Sequence, residues 1–511
     1  MLEKFFPGFA TKLEQKKMEY KITKAKSEYF DKTLEILNYG QSGASTSKIA
    51  FRNSYDYINS VDEDIGDNKE ILTARSLQLF MGNTVSRAAI NKIRTNVVGR
   101  GIKAKPKIKN KILKLEESEV EKIQDDIQTI WELWAESTEC DICRMDNLYK
   151  LQNLAIITHL IYGECFVLLP FSRNSGEIFE TKIKFIDGAK CESQITTEFI
   201  KHGVEFDKDG VPIAYHFNIG NGVFKRIPTF STKLKGKRNL IHIMDKERIG
   251  QRRGVPLLAP VIETLSQITR YTNAELTNAV ISALFTAFII SDKDTIQNSK
   301  IGGVTLTEST PTNPNTEISL GSGNIAELPP GKKLEFANPE RPNQNFGRFT
   351  ETLCKQIGAA LEIPVEVLLT SFNSSFSASK AALLEVWKMY LTRREWLISS
   401  FCQPVYETFI DECVDRGLLN LKGYKEDPLI RRAYLGVEWY GQTQGQIDPV
   451  KETKAAIARI QSGLSTLSRE TSELNGSNWE TNLEQRKIEE KKLKEVNDIR
   501  REGRKNDKSI L

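Results

Sequence analysis

The chain holds four histidines, His159, His202, His216 and His242, and they do not cluster in sequence. His216 and His242 sit within runs that alternate apolar and polar residues, where a structural role is commoner than a catalytic one. Seven cysteines, Cys140, Cys143, Cys165, Cys191, Cys354, Cys402 and Cys413, are scattered and odd in number, which argues against a disulfide framework. Cys140 and Cys143 form half of a tetrahedral zinc site, but no second pair follows and His159 alone does not complete it, so they read as free thiols at a helix end. The acidic run Asp62, Glu63, Asp64, Asp67 and Glu70 misses a calcium loop, because Gly66 comes one place too early. Phosphate cradling through G-x-x-x-x-G-K-[ST] is absent, since neither Gly236-Lys237 nor Gly331-Lys332 fits. There is no G-x-S-x-G elbow and no H-E-x-x-H pair. Carboxylate pairs abound, but none stands apart from ordinary surface charge. The sequence therefore offers no catalytic residue, no metal ligand set and no cofactor site.

Phosphate contact is the chemistry left. From Arg87 to Lys111 there are nine basic residues (Arg87, Lys92, Arg94, Arg100, Lys103, Lys105, Lys107, Lys109 and Lys111) and no acid. Such a stripe suits DNA phosphates, a solvated face or a seam to an acidic subunit surface. A solvated face or subunit seam is the reading favoured here. The net charge of +5 is modest for 511 residues, and 39 % hydrophobic with 27 % charged residues is ordinary for soluble protein. No apolar run reaches the roughly 20 residues of a membrane span, and the N-terminus lacks the apolar core of a signal peptide. A cytosol-like compartment and no membrane partner are expected.

Around these residues the chain is organised by the stretch Gly250 to Ile290. Gly250, Gly254, Pro256 and Pro260 mark a turn and a helix start, and no Gly or Pro follows for thirty residues. Leu258, Val261, Leu265, Ile268, Thr272, Leu276, Ala279, Ala283 and Ala287 recur at helical spacing. A helix over 256–290 would be roughly 50 Å long. Its middle keeps one narrow apolar stripe, as expected of a helix that packs along a seam and leaves its flanks wet or facing a neighbour.

Before it, residues 1–70 read as a largely flexible arm. Helices are expected over 72–98, 117–136 and 147–161, and strands near 102–108, 165–169, 182–186, 211–217 and 240–244, making an α+β first half. After it, Gly- and Pro-rich residues 291–338 read as a small β element. A helix is expected over 345–361, then a small-polar loop, then a long helix from Ala378 to about Val414 kinked by Pro404. Trp439 to Pro449 reads as a loop. The remainder is helical, and Glu484 to Lys508, with ten basic and seven acidic residues, reads as a solvated tail.

Several phrases in this order resemble the portal proteins of tailed bacteriophages, the lambda family in particular. They are Asn96-Val-Val-Gly-Arg-Gly-Ile102, Gly250-Gln-Arg-Arg-Gly-Val-Pro256, Leu334-Glu-Phe-Ala-Asn-Pro339 with Arg341-Pro342, Gln356-Ile-Gly-Ala-Ala360, Ser374-Ser-Phe-Ser-Ala-Ser379 with Ala381-Ala-Leu-Leu384, and Ile447-Asp-Pro-Val-Lys-Glu452. The likeness covers roughly residues 70 to 470. It implies a helix-rich α+β portal fold: an arm (1–70), a wing (71–255), a first stem helix (256–290) that starts at Arg252 and Arg253, a clip (291–338), a second stem helix (339–362), a tunnel loop (363–377), a long kinked wing helix (378–425) and a helical crown with charged tail (426–511). It implies a structural, non-enzymatic ring, usually of twelve subunits, at one capsid vertex of the virion, assembled in the host cytoplasm. Double-stranded DNA would enter and leave through its channel. Partners implied are the terminase large subunit, the major capsid and scaffold proteins, and head-completion or adaptor proteins. Ser371, Phe372, Asn373, Ser374, Ser375, Phe376 and Ser377 would line the channel constriction, where small hydroxyls touch phosphates without the grip of a lysine loop. Arg87, Lys92, Arg94, Arg100, Lys103, Lys105 and Lys107 would contact phosphate or a neighbouring subunit. A nuclease-like DNA-processing enzyme and a non-ring DNA-binding scaffold or adaptor are the alternative readings.

Overall fold

The computed structural model describes residues 16–28, 48–49, 57–173, 176–231, 236–284, 288–291, 299–301, 304–306, 332–335, 345–372, 375–445, 448–476 and 479–508. The chain divides into two units, Met1–Asp64 and Ile65–Leu511. In the first, residues 16–28 are helical. In the second, the segment read as the end of a flexible arm is already structured: Ile65 and Lys69 are buried. A lysine can be buried when its ammonium finds acceptors, and Lys69 does, as described below.

The helix expected over 72–98 is two helices, α1 (Lys69–Gly82) and α2 (Thr84–Val97). They break at Asn83, whose extended backbone lets its side chain accept from Ser86 N as an N-cap. Strand β1 (Lys103–Pro106) follows, then α3 (Glu117–Glu136) and α4 (Leu148–Tyr162). The α3 face Ile127, Trp131, Trp134 is buried as its spacing requires. Three strands form an antiparallel sheet in the order β3 (Lys184–Ile186), β2 (Glu164–Leu168), β8 (Leu240–Met244). Between β3 and β8 the chain builds a four-stranded meander of β4 (Ile200–Lys201), β5 (Val204–Phe206), β6 (Pro212–Asn218) and β7 (Phe224–Pro228). It has its own small core of Phe166, Cys191, Val204, Tyr215, Phe217, Ile227 and Leu240.

The long helix α5 runs Ile262–Leu284, shorter than the expected 256–290. A 3-10 turn over Ala259–Val261 precedes it, and Phe288–Ser291 (β9) is a strand. The run Phe288-Ile-Ile favours extended backbone over helix, because aromatic and β-branched side chains suit a pleated strand. Of the stretch beyond, β10 (Ser299–Ile301) pairs with β11 (Val304–Leu306), and β12 (Lys332–Glu335) returns to pair with β9. Helix α6 (Phe346–Ala360) then packs against α5.

The long helix after the small-polar loop begins at Phe376, not Ala378: α8 runs Phe376–Leu397, after a short α7 (Val365–Leu369). A π turn at Ile398–Cys402 separates it from α9 (Gln403–Asp415). The break falls where Pro404 has no N–H to donate back into the preceding turn. The residues read as a loop from Trp439 are partly strand: after α10 (Pro428–Tyr434), β13 (Val437–Tyr440) pairs antiparallel with β1. Helices α11 (Pro449–Gln461), α12 (Leu467–Asn475) and α13 (Trp479–Lys508) close the chain.

The main core joins both halves of the sequence. Trp134 stacks on Phe409 with ring centroids 4.6 Å apart, Trp131 meets Tyr406 edge-on at 5.0 Å, and Trp134 Nε1 donates to Thr181 O at 3.0 Å. His159 on α4 packs on Trp396 at 4.3 Å, and its Nδ1 is buried without a hydrogen-bond partner. Burial, and then the nearby cations Arg393 and Lys69, push its pKa down to about 3. Its folded pKa lies below its unfolded value near 6.5. The stability it contributes is therefore whole above pH 6.5 and falls as pH drops, by about 1.4 kcal/mol per unit at most. His159→Leu is expected to flatten the fall in urea midpoint between pH 6.5 and 5. An unchanged slope would place the acid sensitivity elsewhere.

Candidate functional site

Glu164 opens β2, a strand whose other residues are Cys165, Phe166, Val167 and Leu168. A carboxylate in such a run must be paired, since an isolated buried charge is costly. It is fully buried, and four residues from three elements converge on it. Arg253, in the turn before α5, meets it side-on: Nη2 donates to Glu164 Oε1 at 2.7 Å and Nε at 2.9 Å. Gly254 N donates to Oε2 at 2.9 Å. His242 on β8 lies 3.1 Å from Oε2, and Lys69 Nζ on α1 lies 3.3 Å from Oε1.

The rest of the guanidinium reaches the turn after β3 and the first hairpin of the meander. Nη1 donates to Cys191 O and His202 O, each at 2.7 Å, and Nη2 to Gly188 O at 3.0 Å. All of its N–H groups are thereby used, which only a planar fork can do from one position. Lys69 Nζ donates to Gly254 O at 2.8 Å and also to Tyr162 O. One joint thus ties α1, the end of α4, the three-stranded sheet, the meander and the foot of α5.

Charge balance explains the protonation states. Burial alone would raise the Glu164 carboxyl, but Arg253 and then Lys69 outweigh it and hold it well below its ordinary range. His242 is pushed down, first by burial, so it stays neutral beside two cations. Burial also lowers Lys69.

Two glycines allow this closeness. A Cβ on Gly254 would lie 1.9 Å from Gly163 O, and one on Gly163, whose φ is +80°, would lie 2.3 Å from Val255 C. The backbones touch, so side chains are excluded at both positions.

Above the joint, Leu258, Val261, Leu265 and Ile268 anchor the foot of α5 in the core. Asn83 Nδ2 donates to Thr269 Oγ1 at 2.8 Å. Beyond that turn no residue up to Val280 is buried: Leu276 is 64 % and Val280 52 % exposed. Among the described residues α6 accompanies this stretch, through Tyr271 stacked on Phe346 at 5.5 Å and meeting Phe349 edge-on at 5.1 Å.

The residues singled out from sequence fall in different places. Of the two arginines expected at the start of the stem, Arg253 is the centre of the joint and Arg252 lies over the Phe206 ring at 4.6 Å. Arg87 and Arg100 are exposed, Arg94 is half-buried, and Arg87 sits over Phe80. Lys92 Nζ donates to Thr370 Oγ1 at 2.9 Å. Lys103 lies 4.0 Å from Glu136, while Lys105 pairs with Glu480 and Lys107 with Glu438. Three lysines of the basic stripe therefore meet acids of their own chain. Of the loop expected over 363–377, Val365–Leu369 is helical, Ser371 and Phe372 are exposed, and Asn373 and Ser374 lie outside the described residues. Ser375 caps α8 by accepting from Ala378 N, which draws Phe376 and Ser377 into the helix. Both Glu362 and Thr370 have left-handed backbones, at φ +59° and +57°, and bracket α7. Among the described residues no group of His, Cys, Asp and Glu could hold a metal ion, and no helix is long and apolar enough to cross a membrane.

Lys69, Glu164 and His242 carry the joint with Arg253; His242 sits in its strand in the structural role its alternating run suggests, whereas Lys69 and Glu164 are not singled out by the sequence. The signal for Glu164 was present, a lone acid heading an apolar strand. Its partners are 89, 95 and 78 positions away, by subtraction of residue numbers, beyond the reach of any local pattern.

The family model described as phage portal protein, lambda family, matches residues 51–394. Among characterised proteins the chain is similar to Portal protein B of Escherichia phage lambda and to the Portal protein of Escherichia phage N15. Each is 23 % identical over 436 residues, covering 80 % of this chain and 82 % of the relative. Among solved structures it is similar to a chain in the virion of a native gene transfer agent particle, at 13 % identity and TM-score 0.46, covering 79 % of this chain and 92 % of that one. A chain in the neck of an empty particle of that kind gives 11 % and 0.48, covering 78 % and 92 %. The model spans well over half of the sequence, and the chain belongs to the lambda family of phage portal proteins.

Proposed function

We propose that this chain assembles into a closed ring of twelve copies at one vertex of a phage head, and that double-stranded DNA enters and leaves the head through the ring. The observation that carries this reading is the state of α5. A helix with a well-anchored foot and exposed Leu276 and Val280 is poorly covered in a single copy. A head-to-tail contact that closes on itself covers such flanks in every copy at once. The residues up to about 255 then form the wing, α5 and α6 the stem, 291–338 the clip, 371–377 the channel loop, and the helices after Pro428 the crown. The packaging ATPase is another chain, the terminase large subunit, and head-completion or adaptor proteins take its place after filling. Capsid and scaffold proteins surround the ring. Catalysis is not part of the role.

The test is head assembly with and without the chain, scored as DNA protected from nuclease. Heads built without it are expected to hold no protected DNA; full heads in its absence would overturn the reading. In the same assay Ser374→Lys with Ser375→Lys is expected to slow filling through phosphate grip. Unaltered rate and completeness would remove the loop from the channel wall.

A further inference from the structure

We propose that Arg253 is a positioning residue that sets the angle at which α5 leaves the wing, and through that angle the number of subunits in the ring. This rests on the ring reading above.

The argument begins with leverage. Helix α5 has 23 residues, so it is about 35 Å long, and a tilt of about 5° at its foot displaces its far end by about 3 Å. Ring closure is less forgiving. Neighbours in a twelve-fold ring are related by about 30° and in a thirteen-fold ring by about 28°, so an error near 2° per subunit changes the count. The foot must therefore be held more tightly than packing of one helix face would hold it.

The joint has the means. Arg253 is one residue from Gly254, whose N and O are both bound, to Glu164 and Lys69. On its other side the same guanidinium grips three carbonyls, of Gly188 and Cys191 in the turn after β3 and of His202 in the first hairpin of the meander. Meander, three-stranded sheet and helix foot are thus fixed against one rigid plane. The contact of Gly163 with Gly254 and Val255, and the bond from Leu257 N to Leu160 O at 3.0 Å, remove the remaining slack. A lysine at 253 keeps the charge and reaches Glu164, but its single nitrogen cannot span both carboxylate and carbonyls.

The experiment compares the symmetry of rings formed by full-length wild type, Arg253→Lys and Glu412→Gln. Glu412 is likewise a buried carboxylate, accepting from Glu180 N at 2.8 Å, Thr181 N at 2.6 Å and Arg416 Nη1 at 2.8 Å, but it lies on α9, away from the joint. It controls for loss of stability alone. Native mass spectrometry and class averages are expected to show one ring size for wild type and Glu412→Gln. Arg253→Lys is expected to give two or more sizes, with the main size below about four-fifths of particles. A single unchanged size for Arg253→Lys would overturn the proposal, as would the same spread in Glu412→Gln. If Arg253→Lys yields no particles, Lys69→Met, which frees the Tyr162 and Gly254 carbonyls and takes one cation from Glu164 but leaves Arg253 on it, is read by the same criterion. Failure of wild type to form any ring would instead strike the ring reading itself.

Discussion

Glu164→Gln is expected to lower the unfolding free energy of the larger unit by about 3–5 kcal/mol, the cost of leaving buried charges unpaired. The variant keeps the shape of the side chain and removes its charge. Arg253 and Lys69 then stay buried with no carboxylate, and two cations repel at close range. Hydrogen bonds to the amide oxygen survive in part, but the amide nitrogen faces donors it cannot accept from. The pH dependence follows from the same group. Its folded pKa is depressed, so its contribution is whole above the unfolded value near 4.3 and is lost as pH falls below it. Urea unfolding at pH 7 should show the full difference between wild type and variant, and at pH 3 a smaller one. An exposed pair such as Lys388 with Glu385, 2.7 Å apart, sets the scale. Breaking it is expected to cost less than about 1 kcal/mol, because solvent already screens both charges. If Glu164→Gln costs no more than that, the joint does not hold the fold.

Gly254→Ala is expected to cost about 3 kcal/mol, at the upper end for forcing atoms into a packed site. One methyl group would be placed 1.9 Å from Gly163 O, against backbone that no rotamer change can move aside. The two chain segments must part, and parting them stretches Gly254 N from Glu164 and Gly254 O from Lys69. The effect is thus coupled to the joint. Gly254→Ala combined with Glu164→Gln should cost clearly less than the sum of the two single changes, as expected for residues sharing partners. A control exists at Gly210, which has open space around its Cβ position. Its φ of +78° makes Gly210→Ala a strain of backbone alone, expected to cost about 1 kcal/mol. Equal losses at both positions would show that steric contact at 254 is unimportant.

Much of the fold was legible because its helices and strands follow their periods. Glu117 to Glu136 alternates apolar and acidic residues with a helical repeat, and the helix occupies those residues. Leu240 to Met244 is likewise the strand that its pattern announced. Misreadings cluster where a tertiary contact overrides the local pattern. Trp439 and Tyr440 read as the start of a loop, yet they end a strand, Val437 to Tyr440, whose pairing partner, Lys103 to Pro106, is over three hundred residues away. The apolar run through Ile290 extended the long helix on paper, whereas Phe288 to Ser291 pairs with Lys332 to Glu335. Phe376 and Ser377 read as loop by composition, although Ser375 is a good N-cap and marks the helix start. Lysine 69 was assigned to a mobile arm on composition alone, yet burial of one ammonium beside Glu164 orders the segment.

The site was less legible than the fold. Arg252 and Arg253 stand together in a recognisable phrase that places them at the start of the stem, without telling one from the other. What separates them is geometric. Arg253 turns inward onto Glu164, while Arg252 lies on the Phe206 ring. Neither glycine contact nor carboxylate pairing across the chain leaves a trace in local spacing.

The most direct test of the account is the mass of the purified full-length protein, measured together with negative-stain images of the same sample. With a chain of 58.0 kDa, a closed ring of twelve copies would weigh roughly 700 kDa and show a central hole. That result is the one predicted. A species that stays monomeric or dimeric, even with capsid and scaffold proteins present, would contradict the ring.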